Sequence, residues 1–279
     1  MRFMPHGRDV LLALLLFTFG PWVSARAEDH PFITVASTTE PQESGLFSNL
    51  VPMFTRKTGI DIYLVAVGTG EALKIGQSGE CDVVFVHDKT RELQFLQNGF
   101  ASVRRKVMYD RFVLVGPEDD RARIDGTQDV RVALRSIAEA HALFISRGDE
   151  SGTDAAEKRI WDEIGKRPNP EADPWYVETR SGMERTLVVA AARNAYTLAD
   201  SATWDNFNDR RRLKIVVDGD ARLKNQYAVM LVNPQLHPQV KADLGMAFIE
   251  WLTSREGQEA IARFKVKGKQ QFFPDYVKP

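Results

Sequence analysis

Three short segments rich in hydroxyl groups and glycine lie where a predicted strand ends and a predicted helix begins. They are Ser37–Ser44, Gly68–Gly70 and Arg147–Thr153. Hydroxyls and free backbone N–H groups donate hydrogen bonds, glycine allows the backbone to approach a ligand, and arginine adds a fixed positive charge. A helix N-terminus also favours negative charge. The chemistry that these residues could perform is the binding of an anion by donors, without a nucleophile and base.

Helix capping is the alternative for each turn taken alone, because Ser, Thr, Asp and Gly are common residues at helix N-termini. Three such turns in one chain, one of them with an arginine, favour a shared anion site over three unrelated caps.

The elements that must position these turns are apolar strands. Ile33–Ala36, Ile60–Val67 and Leu143–Ile145 precede the three turns, and the nearly continuous apolar run Cys81–Val86 predicts a strand buried on both faces. Strands that alternate with amphipathic helices indicate an α/β architecture with largely parallel sheets. The turns then lie at the carboxyl ends of strands, where open α/β sheets bind ligands.

The composition excludes several classes of protein. The 279 residues include 37 basic and 38 acidic side chains, so the formal net charge of −1 argues against non-specific nucleic-acid binding. The single cysteine, Cys81, excludes a disulfide framework and a multi-thiolate metal site, and its position predicts a buried core residue.

The first 27 residues have the pattern of a secretory signal peptide. Arg2 and Arg8 precede the short apolar run Val10–Phe19, and Ala25–Ala27 is a small-x-small cleavage pattern. The run is too short for a membrane anchor, which needs about 20 residues. Removal of residues 1–27 takes Arg2, Arg8, Arg26 and Asp9 with it, leaving 34 basic and 37 acidic residues, a formal charge of −3. We expect an exported, periplasmic protein.

Signals for catalysis are weak in the remaining chain. Its four histidines, His30, His87, His141 and His237, show no metal-ligand spacing, and no GxSxG or GxxxxGK[ST] motif is present. His87, directly after a buried strand, is predicted to be a capping or core residue. A carboxylate-based hydrolase lacks support but is not excluded.

The motifs at these turns resemble a known family. Arg147-x-Asp149-x-Ser151-Gly152-Thr153 is similar to the phosphate-grasping turn of periplasmic phosphate-binding proteins. More closely, the whole chain resembles the tungstate-binding proteins of bacterial ABC importers. The similar segments, in order, include ASTTEPQESGL, AVGTGEAL, DVVFVH, VMYDRFVLVGP, FISRGDESGTD and MAFIEWLTSREGQEAIARF.

The resemblance implies an α/β fold of the type II periplasmic-binding-protein class, in which two lobes joined by two crossing segments close on the ligand. It places lobe 1 at residues 30–115 and 228–279 and lobe 2 at residues 116–227. It also implies a periplasmic receptor, not an enzyme, that delivers tungstate, and possibly molybdate, to an ABC permease in the inner membrane. We expect no cofactor, no metal cation and no nucleic-acid partner. We also expect the protein to be a monomer. Receptors for molybdate or phosphate are alternatives.

The resemblance also implies which residues donate to the oxyanion. They are Thr38, Thr39, Ser44 and Thr69 from one lobe and Arg147, Ser151, Gly152 and Thr153 from the other. Asp149 is expected to orient Arg147 without touching the anion.

Two positions depart from the family's pattern. Glu40 stands where the family has a serine after its threonines, and an inward carboxylate would repel a dianion. Glu40 is therefore expected either to face solvent or to mark a changed anion preference. Arg180 stands where the family favours glycine, and it is expected at the surface.

Overall fold

The computed structural model describes residues 30–276. The predicted signal peptide, residues 1–27, and its cleavage site near Ala27 lie outside the described residues. None of the helices in the described range is long and apolar enough to cross a bilayer.

The helices and strands alternate along most of the chain. The helices are α1 (Thr39–Glu43), α2 (Leu46–Thr58), α3 (Thr69–Ser78), α4 (Lys89–Gln97), α5 (Val130–Glu139), α6 (Gly152–Glu163), α7 (Met183–Arg193), α8 (Ser201–Asn206), α9 (Ala242–Leu252) and α10 (Arg255–Arg263), with a 3-10 turn at Ala221–Leu223. The strands are β1 (Phe32–Thr38), β2 (Asp61–Val67), β3 (Val83–Val86), β4 (Ala101–Pro117), β5 (Phe144–Ser146), β6 (Tyr176–Glu178), β7 (Thr197–Asp200), β8 (Leu213–Val217), β9 (Lys224–Val232), β10 (Lys265–Val266), β11 (Lys269–Gln270) and β12 (Phe273–Pro274).

The sheets are mixed, so the expectation of largely parallel sheets is wrong. Strand β1 lies between β2 and β3 and is parallel to both, and β5 is parallel to β6. Strand β9 is antiparallel to β3 and to β4, and β4 is antiparallel to β7, β8 and β12. The long strand β4 causes the difference, because it pairs with β9 up to Arg111 and with β7 from Phe112 onward.

The hydrophobic side chains form separate cores on the two parts of β4. One core contains buried residues from 33–108 and 227–272, and the other two contain buried residues from 112–223. Cys81 is buried in the first core, as the sequence predicted. In that core Phe248 of α9 packs edge-on against Phe54 of α2, with ring centroids 5.1 Å apart.

Truncation of Phe248 should destabilise the fold. The side chain is fully buried, so Phe248→Ala removes apolar contacts and leaves a cavity, and we expect a loss of about 3–5 kcal/mol in unfolding free energy. Urea unfolding monitored by circular dichroism measures the change. Val132→Ala on α5 is the control, because Val132 is 47% exposed and should change stability by less than about 0.5 kcal/mol. Equal effects of the two variants would contradict the core position of Phe248.

Candidate functional site

The carboxyl ends of three neighbouring strands bring the first two polar turns to one edge of the sheet. The register pairs Thr38 at the end of β1 with Val67 at the end of β2, and Ser37 with Phe85 in β3. The residues that follow these strands are therefore neighbours. Only Gly68 separates the end of β2 from Thr69, where α3 begins, and His87 follows β3.

The third turn approaches this edge from the other side of the molecule. Arg147 follows β5, and Ser151 caps α6 by accepting a hydrogen bond at Oγ from the backbone N–H of Asp154, at 3.2 Å. Direct contacts join the two sides, because Arg91 Nη1 of α4 donates to the backbone oxygen of Glu150, at 3.2 Å. The three sequence-predicted turns thus meet at one cleft.

Buried hydroxyl groups without hydrogen-bond partners mark the turns. The side-chain oxygens of Ser37, Thr38, Thr69 and Ser146 are buried and have no hydrogen-bond partner among the described residues. A buried hydroxyl without a partner costs about 1–3 kcal/mol. Ser146 lies beside the buried Glu157 and Tyr176. The other three groups, at the end of β1 and just beyond β2, are therefore a feature that folding alone does not explain, and hydroxyls can donate to a bound anion.

Arg147 is buried at the centre of the cleft, with only 4% of its surface exposed. Its Nε and Nη2 donate to Asp149 Oδ2, at 3.1 Å and 2.6 Å, and its Nη1 lies 3.5 Å from Thr153 Oγ1. Asp149 therefore holds one edge of the guanidinium group. Burial alone would lower the pKa of Arg147, but the carboxylates of Glu40 and Asp149 raise it, so the group stays charged.

Glu40 is buried in the site. Of the two alternatives that the sequence left for it, exposure to solvent is therefore wrong. It is 5% exposed, and its Oε1 accepts a hydrogen bond from Arg147 Nη1 at 2.9 Å. Its Oε2 lies 3.3 Å from His87 Nε2. Burial alone would raise the pKa of Glu40, but the neighbouring His87 and Arg147 cations hold it well below its ordinary value. A carboxylate thus bridges two cations in the cleft.

His87 is the second cation of the site. Its Nδ1 lies 2.9 Å from Asn225 Oδ1, and its ring stacks on Tyr227 with centroids 4.7 Å apart. Burial alone would lower its pKa, but the Glu40 carboxylate raises it to about 9. His87 is therefore an imidazolium at neutral pH, with one ring nitrogen toward Glu40 and the other fixed by Asn225.

Gly152 allows His87 to pack against the start of α6. A Cβ atom on Gly152 would lie only 2.2 Å from Cε1 of the His87 ring. The backbone of Gly152 has no positive φ, so the need for glycine here is one of space. The N-terminus of α6 is thus in direct contact with the imidazole.

A second group of carboxylates lies behind the pair of cations. Asp110 accepts a hydrogen bond from the hydroxyl of Tyr227 at 3.2 Å, and Asp200 caps α8. Burial, followed by the proximity of Asp200, raises the pKa of Asp110 well above its ordinary value. Burial and the Glu40 carboxylate likewise raise the pKa of Asp200.

A cavity of about 140 Å³ adjoins Glu40 between α1, α7 and α8. Its lining residues are Glu40, Glu43, Ser44, Glu184, Ala202, Thr203, Asn206 and Phe207. Within residues 30–276, no group of three or more His, Cys, Asp or Glu side chains is arranged to hold a metal ion.

The fold buries most of the sequence-predicted donors near the cleft. Two of them, Thr39 and Ser44, differ from the rest in burial or hydrogen bonding. Thr38, Thr69, Arg147, Ser151 and Thr153 are buried, and Gly152 contacts His87. Thr39 is half-buried as the first residue of α1. The Ser44 hydroxyl donates to the backbone oxygen of Pro41 at 3.0 Å and faces the cavity beside Glu40. Arg180 is 79% exposed at its side chain, which confirms the expectation of a surface position.

Sequence reasoning did not count Ser37, Ser146, His87 and Asn225 among the residues of the site, although Ser37 begins the first polar turn, and it left the direction of Glu40 open. The first three have the same signal as Thr38, since each lies at or just beyond the end of an apolar strand. Asn225 carries no such signal, because it reaches His87 only through the antiparallel pairing of β9 with β3.

Comparisons with known proteins give a consistent result. A family model described as PBP superfamily domain matches residues 24–256. The tungstate-binding protein TupA of Peptoclostridium acidaminophilum is 40% identical over 242 residues, which cover 86% of this chain and 82% of that protein. The structure of the tungstate-binding protein TupA from Desulfovibrio alaskensis G20 matches with a TM-score of 0.79 and 41% identity, covering 88% of this chain and 100% of that one. The crystal structure of the tungstate ABC transporter from Geobacter sulfurreducens matches with a TM-score of 0.74 and 40% identity, covering 84% of this chain and 98% of that one.

The His87–Glu40 pair should make stability depend on pH. The pKa of His87 is about 9 in the folded protein and 6.5 ordinarily, so its contribution is fully present below pH 6.5 and is lost as the pH rises through 9. Between these limits, wild type should lose up to about 3 kcal/mol more unfolding free energy than His87→Gln, measured by urea unfolding. The comparison removes the shared effect of Glu157, whose pKa burial raises to about 7. Equal losses in both proteins would contradict an ionised His87.

Proposed function

The chain belongs to the PBP superfamily domain family and, within it, to the TupA tungstate-binding proteins, and from this premise we propose that it is the substrate-binding component of an ABC transporter. Its ligand is the tetrahedral oxyanion tungstate, and molybdate fits the same site. The protein acts as a receptor and not as an enzyme. It binds its ligand without a cofactor, in the periplasm after removal of the signal peptide near Ala27, and delivers it to a permease in the inner membrane.

The observation that carries this proposal is the set of buried donors without partners around Arg147. The hydroxyls of Ser37, Thr38 and Thr69 lack hydrogen-bond partners among the described residues, Thr69 begins α3, and Arg147 lies in the turn before α6. Tungstate and molybdate are fully deprotonated near neutral pH, so they only accept hydrogen bonds. A site that offers hydroxyl, backbone and guanidinium donors suits such an ion.

The proposed ligand contacts come from both sides of the cleft. They are Thr38, Thr39, Ser44 and Thr69 on one side and Arg147, Ser151, Gly152 and Thr153 on the other. Ser37, which is buried at the end of β1, and His87, which faces Glu40, are added to them. Asp149 orients Arg147.

Two lobes close on the ligand in this proposal. Lobe 1 comprises residues 30–115 and 228–279, and lobe 2 comprises residues 116–227. The separate hydrophobic cores on the two parts of β4 support a division into two lobes, with residues 112–115 packed in the cores of lobe 2 and Tyr227 in the core of lobe 1. The protein works as a monomer, because one chain supplies both sides of the cleft.

The number of donors suits tight binding. Hydrogen bonds to charged groups are worth roughly 1.5–3 kcal/mol each. Six to eight of them, reduced by the costs of desolvation and closure, could give about −12 kcal/mol, which corresponds to nanomolar affinity.

Glu40 favours phosphate as a second candidate ligand. Phosphate carries a proton near neutral pH, and a carboxylate can accept a hydrogen bond from it, whereas tungstate has no proton to donate. The buried position of the Glu40 carboxylate is the specific observation behind this alternative.

Titration calorimetry with tungstate, molybdate, sulfate and phosphate tests the proposal. Tight one-to-one binding of tungstate or molybdate, with sulfate and phosphate much weaker, is the expected result. A preference for phosphate would support the second candidate and refute the first. Hydrolysis of an added ester in the same cleft would contradict the receptor function as a whole.

Removal of Arg147 should weaken oxyanion binding. Arg147→Ala deletes a buried charge and its donors, so we expect a loss of at least about 2 kcal/mol, which is roughly 30-fold in affinity. Calorimetry with tungstate measures it, and circular dichroism verifies folding. Arg180→Ala is the matched control, because the Arg180 side chain is 79% exposed and its removal should leave the affinity unchanged. Unchanged affinity of Arg147→Ala would remove Arg147 from the site.

A methyl group on Gly152 should also weaken binding. The added Cβ would lie 2.2 Å from the His87 ring, so Gly152→Ala forces the two sides of the cleft apart. We expect at least a tenfold loss of tungstate affinity with only a modest change in stability. Gly182→Ala at the start of α7 is the control, since a Cβ there meets nothing within 4 Å. Equal affinities of the two variants would show that Gly152 is not needed for closure.

A further inference from the structure

The guanidinium of Arg147 has few donors left for a ligand. Asp149 occupies the edge formed by Nε and Nη2, and Glu40 accepts from Nη1. The other oxygen of the Glu40 carboxylate faces the imidazolium of His87, at 3.3 Å. Both of these buried cations are therefore already paired with a carboxylate from the protein itself.

An ionised Glu40 and a dianion are incompatible at this position. Both would occupy the space between Arg147 and His87, and like charges that share a site repel each other strongly. Arg147 and His87 attract an anionic ligand more strongly when the Glu40 carboxylate has moved away from them, because buried charges that have lost their partner need a new one. Asp149 leaves Arg147 available, since it holds the opposite edge of the guanidinium.

The neighbouring cavity offers a place for the displaced carboxylate. The cavity of about 140 Å³ is lined by Glu40 itself and by the polar residues Ser44, Thr203 and Asn206. Glu43 and Glu184 also line it and disfavour the ionised Glu40 there. This repulsion returns the carboxylate to Arg147 and His87 when the ligand departs.

We infer that Glu40 is an internal competitor of the oxyanion: its carboxylate occupies Arg147 and His87 in the ligand-free protein and moves into the adjoining cavity when the oxyanion binds. This inference rests on the proposed function of the cleft. Glu40 then sets the affinity of the receptor, because every binding event must first break its contacts with both cations. It also facilitates release, since the carboxylate replaces the ligand as the partner of both groups.

Charge-neutral variants of Glu40 test the inference. Glu40→Gln keeps the size of the side chain and removes its charge, and Glu40→Ser removes both. We expect each variant to bind tungstate at least tenfold more tightly than wild type in calorimetry at about pH 6.5. A merely structural role of Glu40 predicts the opposite, because damage to the site lowers affinity.

Glu71→Gln is the matched control. Glu71 lies in the first turn of α3, and its exposed side chain pairs with Lys74 and forms no hydrogen bond or ion pair with Arg147 or His87 among the described residues. The variant loses the same charge and should change tungstate affinity by less than about threefold, the effect expected of a more distant charge. An equal gain in Glu71→Gln and Glu40→Gln would overturn the inference, since long-range repulsion would then explain both.

A crystal structure of the wild-type protein grown with tungstate provides the direct measurement. The Glu40 carboxylate should lie in the adjoining cavity, with the anion in contact with Arg147. A carboxylate that still bonds Arg147 beside a bound anion would overturn the inference, as would weaker binding by both Glu40 variants. If neither the wild type nor any variant binds tungstate or molybdate, the proposed function itself fails. Binding by all of them with equal affinity refutes only the role of Glu40.

Discussion

The buried Arg147–Glu40–His87 contact is the interaction on which the cleft depends. It joins a residue after β5, a residue of α1 and a residue after β3, and so it links the two sides of the molecule. Burial of each of these charges alone would be costly, and their mutual pairing is what makes burial possible. The same contact keeps His87 protonated and Glu40 ionised at neutral pH.

The surrounding fold serves to hold this contact. The parallel register of β1 with β2 and β3 places three strand ends side by side. The continuous strand β4 contributes residues to both groups of hydrophobic cores and so connects them. Gly152 brings the start of α6 against His87, and Asp149 fixes the guanidinium of Arg147. The hydroxyls at the ends of β1 and β2 that have no partner among the described residues add donors to this centre of paired charges. This fits a receptor that selects by local donors and not by net charge, which is −1 for the full chain and −3 without residues 1–27.

Sequence patterns were sufficient to locate the three polar turns, and the donors assigned within them stay predictions. The apolar runs before Thr38, Thr69 and Arg147 identified strands, and strand ends of α/β sheets are where ligands bind. The patterns were insufficient for the parallel or antiparallel sense of the strands. The hydrophobic residues along β4 and β9 indicate that these strands are buried. They do not indicate whether a neighbouring strand is parallel or antiparallel, because both kinds of neighbour bury a strand.

The sequence by itself determined the α/β class, the family, the three polar turns and the presence of a carboxylate at position 40. Local patterns fix these features because strand ends, helix starts and motif spacing depend on residues close in the chain. Only the tertiary structure decided that Glu40 points inward, that His87 is its partner and that Asn225 supports His87. These contacts join residues between 47 and 138 positions apart, and only the packing of distant elements brings such groups within hydrogen-bond distance.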